Sequence, residues 1–351
     1  MSYQNHNMEW VEMGHALPRW GRNDFMKQSE MSNYRKKHNN KGIYRSAYLY
    51  DQVDNIKEAY LLSDFYMDFD NKEDIELARE DIKFVIWKMH LKTSFNLPIE
   101  AFRIYFSGMK GFHLTIPKEY MGIQPSVHLD DLFKWIAMGL NEESVYETID
   151  LVVYERRRMW RLENSQHPET QLYKIPLQYK ELQELSLDEI MELAKKPRVL
   201  TNYPEPQLIP EARKQYEKEA RSMLTEKDRI AERMKNYTSS GSIFKEGEVP
   251  DYVQQILDEG PIDGYRNETA AALTSYFMQQ KLTKEEVWNE LLGWSKNEMD
   301  EGELKTTMES VFDKGYTYGR SRLKALAAKD LSKIGLQRPK GGEVPWKNTQ
   351  T

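Results

Sequence analysis

The chain contains no cysteine. That absence excludes disulfides, Cys-ligated zinc, iron–sulfur clusters and thiol nucleophiles together, and it points to a reducing, cytoplasmic setting. No run approaches the ~20 consecutive apolar residues of a membrane helix, so no membrane partner is expected. Met1 to Trp10 has neither the basic nor the apolar stretch of a signal peptide. Gly-Lys-Ser/Thr never occurs, so there is no Walker A loop. Nor is there an overall basic excess: 50 Lys and Arg against 56 Asp and Glu leave a net charge of −6. This excludes a uniformly basic surface but not a local basic cleft, because binding follows the local field. What is present is a globular composition, 39% apolar and 30% charged over 351 residues, with room for two domains.

Residues 1–42 are polar with few apolar anchors and read as partly ordered. Residues 43–50 suit a strand with aromatic packing. Leu61 to Phe69 reads as a strand with Phe65, Met67 and Phe69 on one face. A helix follows near 73–92, where Ile82, Val85, Ile86 and Met89 form one stripe. Residues 102–107 and 112–117 read as two strands about the turn at Gly108 to Gly111, and a helix runs from about Ser126 to Leu140. Strands are expected at Ile149 to Tyr154 and Tyr173 to Leu177. The order β-α-β-β-α-β is that of a ferredoxin-like or RNA-recognition-motif-like sheet.

Beyond 180 the chain turns helical and charged. Ser186 with Glu189, and Thr283 with Glu286, have capping-box spacing. The expected class is therefore α+β: a sheet domain over 1–180, with its core at about 43–180, followed by an all-α C-terminal domain. Residues 181–249 form a helical extension and linker, the linker itself at about 237–247. Residues 250–320 form the small helical domain, and 321–351 a disordered tail.

Four groups of residues could carry chemistry. Asp68 and Asp70 flank Phe69 at a strand end, and period-two alternation puts both carboxylates on one face. They repel unless a cation sits between them, and Mg²⁺ or Mn²⁺ suits such oxygen ligands. A solvated strand end is the commoner reading of the pair taken alone. Second, Ser107-Gly108-Met109-Lys110-Gly111-Phe112-His113 is either an ordinary Gly-rich hairpin or an anion nest for a triphosphate, to which Lys110 adds charge and His113 a donor. Third, Asp150 opens an apolar strand that this topology can lay beside Asp68; alone it reads as a strand-start or capping Asp. Fourth, Arg156, Arg157, Arg158, Arg161, Lys174 and Lys180 stand against Glu155, Glu163 and Glu169, a local excess of positive charge interleaved with Met159, Trp160 and Leu162. An Arg run is usually a solvated face, but this one is partly buried, so Arg158 and Arg161 need anionic partners: the Asp cluster or a ligand. Together these parts fit two-metal phosphoryl transfer.

The succession Asp68-Phe69-Asp70, Ser107-Gly108-x-x-Gly111-x-His113, Asp150, then Arg161-Leu162-x-x-Ser165-x-His167 resembles the motifs of the archaeo-eukaryotic primase superfamily, the primase-polymerases. Gly264-Tyr265-Arg266-Asn267, Trp294 and Tyr316-Thr317-Tyr318-Gly319 resemble the small helical domain that follows the catalytic core in many phage and plasmid primases. The resemblance implies that Asp68, Asp70 and Asp150 bind the catalytic Mg²⁺ or Mn²⁺ ions. It implies that Ser107, Lys110, Gly111 and His113 contact the incoming nucleotide, and that Arg158, Arg161, Ser165, His167 and Lys174 hold triphosphate or template. It further implies a single-stranded DNA template, NTP or dNTP substrates and, since no Walker A loop exists here, a separate replicative helicase. The chain departs from relatives in lacking the zinc module that some carry, so no zinc is expected, and in having Gly111-Phe112-His113 where many have Ser-x-His. The implied activity is DNA primase-polymerase synthesis or extension of primers in replication of a phage, plasmid or mobile element. Gap-filling repair on the same core and an inactive nucleic-acid-binding protein are the alternatives.

Overall fold

The computed structural model describes residues 6–329 apart from 72, 202, 240–243, 246, 248, 262–264, 297 and 315–317. It divides into two compact units, 1–224 and 225–351, and is a mixed α and β structure. The tail at 330–351, much of the expected linker, and Gly264, Tyr316 and Thr317 lie outside the described residues. No helix among the described residues is long and apolar enough to cross a membrane.

Within residues 6–42, part of the segment read from sequence as partly ordered, the chain builds β1 (Trp10–His15), β2 (Gly21–Lys27) and α1 (Met31–Lys37). Val11, Met13 and Tyr34 form a small apolar cluster with Ile43, and an ionic contact joins it. Glu12 of β1 is fully buried and takes paired hydrogen bonds from Arg22 (2.8 and 3.0 Å) and from Arg157 (3.0 and 2.7 Å). The first sheet continues through β3 (Ile43–Ser46) and β4 (Leu49–Tyr50), then β5 (Leu61–Leu62).

β6 (Phe65–Asp70) opens the second sheet and leads into α2 (Ile75–His90), whose N-cap is Asp74, accepting the Glu76 N–H at 2.9 Å. β7 (Arg103–Phe106) and β8 (Gly111–Ile116) follow, then α3 (Lys118–Met121) and α4 (Leu129–Glu143). β9 (Met159–Arg161) pairs with β3 and so joins the first sheet, while β10 (Ile175–Leu177) pairs with β7. Among the described residues the second sheet has the order β10-β7-β8-β6, every neighbour antiparallel.

Alternation gives this sheet two different faces. Met67, Phe69, Ile104, Phe106, Phe112 and Leu114 are fully buried in a core shared with Ile82, Val85 and Ile86 of α2 and Phe133 of α4. Burying each such side chain contributes about 2 kcal/mol. The opposite face carries Asp68, His113 and Tyr105, in register across three strands. Trp160 of β9 covers it, with its ring 4.2 Å from His113 and 4.8 Å from Tyr66.

The strand expected over 149–154 is not formed. Residue 149 makes one antiparallel bridge to Phe69, and the chain then enters a 3-10 turn, Leu151–Val153. Asp150 is the cause: its side chain accepts the Val152 N–H at 2.9 Å and caps the turn, which competes with extended backbone.

The first unit closes with α5 (Tyr179–Glu184), α6 (Leu187–Leu193) and the start of α7 (Pro210–Ser239). Leu182, Ile190, Ala212, Tyr216 and Met223 pack into its core. The second unit holds α8 (Asp251–Glu259), α9 (Arg266–Gln279), α10 (Lys284–Ser295), α11 (Glu301–Lys314) and α12 (Arg320–Ala327). Both expected capping boxes form, at Ser186 and at Thr283.

Candidate active site

The three carboxylates meet through backbone hydrogen bonds. β6 ends with Asp68 and Asp70 on its polar face. The 148–150 segment runs along its outer edge, where the Asp70 N–H donates to the Thr148 carbonyl at 3.0 Å and the Asp150 N–H to the Asp68 carbonyl at 2.9 Å. Carboxylate oxygens of Asp68, Asp70 and Asp150 all lie within 4.8 Å of one another. Asp68 is buried, and its Oδ1 has no hydrogen-bond partner among the described residues. His113 Nε2 is the nearest basic atom, at 3.4 Å. Burial, then the charges of Asp70 and Asp150, push the Asp68 carboxyl up to about 7. An unpartnered buried oxygen inside a cluster of like charges is the electrostatic condition that a divalent, oxygen-liganded cation relieves. The donor set fits Mg²⁺ or Mn²⁺.

The glycine turn is fixed to this cluster at its Lys110–Gly111 end and to Thr170 at its Gly108 end. Lys110 Nζ pairs with Asp70 Oδ2 at 2.6 Å, and that hydrogen bond raises the lysine above its ordinary pKa. Gly108 has φ +84°, a backbone conformation that favours glycine. Its carbonyl accepts the Thr170 hydroxyl at 2.6 Å. Gly111 is required by close approach: a Cβ there would lie 1.9 Å from the Phe69 carbonyl oxygen and 2.7 Å from Asp70 Oδ1. Ser107 is buried, and its N–H donates to the Gly111 carbonyl at 2.9 Å.

The basic side of the site is buried and under-satisfied. One Arg161 nitrogen donates to the Ser107 carbonyl, and Nη1 has no hydrogen-bond partner among the described residues. Burial lowers this guanidinium below its ordinary pKa. Lys174 is buried, donates to the Arg161 carbonyl at 3.0 Å, and lies 4.7 Å from the Trp160 ring and 5.0 Å from the Tyr105 ring. Burial, then Arg161, hold the amine well below its ordinary pKa. His113 is likewise held well below its ordinary value, by burial first and then by Lys174, Arg161 and Arg158. It is therefore a neutral imidazole at pH 7, and its Nδ1 is unpartnered among the described residues. Arg158 Nη2 stands 3.9 Å from Asp150 Oδ2.

Not every residue singled out in the sequence points its functional group here. Ser165 is fully buried, with its hydroxyl accepting the Ile43 N–H at 2.7 Å, so it fastens the 162–167 loop to β3. His167 Nδ1 accepts backbone N–H groups of Glu169 and Thr170 at 3.2 and 3.4 Å. Burial, then Arg161, lower its pKa. Arg156 donates to the carbonyls of Ile56, Val127 and Ala59, and Arg157 holds Glu12. Two of the four arginines of the basic run are thus structural. Trp160, the lid over His113, escaped notice as a site residue because one Trp in an Arg-rich stretch reads as packing. Glu12 left no signal beyond being one acid in a polar segment read as partly ordered.

No protein-family model matches the chain, and no curated protein matches its sequence. Among solved structures the chain is similar to the crystal structure of primase RepB′, at 12% sequence identity and a TM-score of 0.32, covering 94% of this chain and 96% of that chain.

Proposed function

We propose that the chain is a template-directed nucleotidyltransferase of the primase-polymerase kind, which synthesises or extends primers on single-stranded DNA from NTPs or dNTPs. One observation carries the reading: three carboxylates converge around the buried Asp68 Oδ1, which has no hydrogen-bond partner among the described residues, with His113 in register on the neighbouring strand. Asp68, Asp70 and Asp150 would hold the metal ions. Bound there, Mg²⁺ or Mn²⁺ would lower the pKa of an attacking 3′-hydroxyl and neutralise charge on the triphosphate.

The chain's own groups supply the rest. Neutral His113 donates an N–H to a phosphate oxygen, and Arg161 Nη1, without a partner among the described residues, offers a charge-assisted hydrogen bond beside it. Lys110 pairs with Asp70 at 2.6 Å; a cation held by that carboxylate would weaken the pair, and Lys110 would then be available to the triphosphate. Trp160 roofs the site and limits water, which strengthens each of these interactions. A two-metal nuclease shares the carboxylates but has no need of a triphosphate grip. The fit of the replication setting, with a separate helicase partner, belongs to the same proposal.

The test is incubation of the full chain with unprimed single-stranded DNA, Mn²⁺ or Mg²⁺ and labelled nucleotides. New labelled oligomers are expected from the wild type and none from Asp68→Ala. Degradation of the DNA with no synthesis would replace this reading with the nuclease.

A further inference from the structure

Asp150 is the one metal-site carboxylate that does not stand on a regular strand. It follows a loop, and a loop does not by itself hold a carboxylate to the tolerance that a metal site needs. What holds this loop is a second aspartate, on the far side of the sheet. Asp81, in the middle of α2, is fully buried. Its Oδ2 accepts the Thr148 N–H at 2.8 Å and the Thr148 hydroxyl at 2.9 Å, and shares the Ser144 hydroxyl, at 3.3 Å, with the Asn141 carbonyl at 2.9 Å. Its Oδ1 accepts the Tyr146 N–H at 3.1 Å. Asn141, at the end of α4, adds its Oδ1 as acceptor for the Ile149 N–H at 2.9 Å.

These bonds continue directly into the site. Thr148, held twice by Asp81, offers its carbonyl to the Asp70 N–H, and two residues later the Asp150 N–H reaches the Asp68 carbonyl. All four donors to Asp81 are neutral, and among the described residues no cation pairs with it, a costly use of a buried carboxylate for fold alone. An asparagine could not replace it: its single oxygen can face the three donors at Oδ2 or the one at Oδ1, and its NH₂ would then confront the remaining N–H.

We propose that Asp81 is a positioning residue for the metal site, fixing the 144–148 loop so that Asp150 is presented to Asp68 and Asp70. The inference rests on the metal reading above but concerns a residue that touches neither metal nor substrate. The test is Mn²⁺ binding to the full, nucleotide-free chain, followed by the loss of the free-ion paramagnetic resonance signal. Asp81→Asn should weaken binding by about tenfold or more, as loss of supporting groups around metal ligands does, while circular dichroism stays that of the wild type. Thr148→Val removes one donor, keeps shape and backbone, and should weaken binding severalfold; it carries the test if Asp81→Asn fails to fold. Because Asp81 acts through Asp150, the double variant Asp81→Asn/Asp150→Asn should bind no more weakly than Asp150→Asn alone. Wild-type affinity in the folded Asp81→Asn and Thr148→Val chains, or full additivity with Asp150→Asn, would overturn the role of Asp81 and leave the metal site standing. Absence of Mn²⁺ binding by the wild type would remove the metal reading itself, and this inference with it.

Discussion

At the scale of single residues, Asp68 is where the site's chemistry shows in a solution property. Its carboxyl is raised to about 7 from 3.8, so the folded metal-free chain binds this proton more tightly than the unfolded chain. The sign follows: ionising Asp68 removes stability as pH rises between those two values, with a slope of up to roughly 1.4 kcal/mol per pH unit. Wild type minus Asp68→Asn, measured by thermal unfolding without metal, should therefore become more unfavourable to the wild type from pH 5 to pH 8. A pH-independent difference would show that the carboxyl titrates normally. Metal entry must displace that proton, so Mn²⁺ affinity should fall by up to about tenfold per pH unit below pH 7, read by titration calorimetry at pH 6 and pH 8. Gly111 is a second residue-scale case. Gly111→Ala removes no functional group, yet its Cβ would meet the Phe69 carbonyl. It should destabilise the chain by about 2–4 kcal/mol and lose incorporation together with Mn²⁺ binding.

At the scale of elements, the parts read best from sequence are those with one clean period and no competing local bond. The apolar stripe of α2 and the alternating Phe112 and Leu114 of β8 are such parts, and the Asp68–Asp70 pair was visible because alternation fixes its face. The segment at 149–154 looked equally strand-like, but Asp150 capping its own turn won over β-propensity, a choice made by one side chain. β1 and β2 were illegible for a different reason. Glu12 occupies an interior position where a hydrophobic residue is expected, and its partners Arg22 and Arg157 are 10 and 145 residues away. The basic run was visible as charge, but which arginines are spent on carbonyls and on Glu12 depends on those long-range partners. It follows that Arg157→Ala should cost about 1–2 kcal/mol in stability, less than a wholly buried pair because Arg157 is partly exposed and Arg22 remains. The salt dependence of DNA binding should stay as in the wild type, since Arg157 is not available to phosphates. A flatter salt slope in a binding titration would return Arg157 to the nucleic-acid surface.

At the scale of the whole molecule, the site lies within the first compact unit, and the described residues of the second form helices around a core of Tyr276, Leu291 and Trp294. We expect a chain ending at Ser239, the end of α7, to fold and to extend a primed template, because every residue of the site and of its core precedes that point. Loss of all extension by the folded fragment would make the helical unit part of the catalytic machinery. Retained extension with lost synthesis on unprimed DNA would give that unit a role in initiation. The central claim is that the Asp68–Asp70–Asp150 cluster performs templated nucleotidyl transfer. Its most direct test is single-nucleotide addition to a primed single-stranded template in Mn²⁺, varying the template base, with the full wild-type chain and with Asp70→Asn and Asp150→Asn. The account predicts addition that follows the template base and falls by about a thousandfold or more in both variants, as expected when metal-mediated charge stabilisation worth several kcal/mol is removed. Addition that ignores the template base, or that survives in either variant, would contradict it.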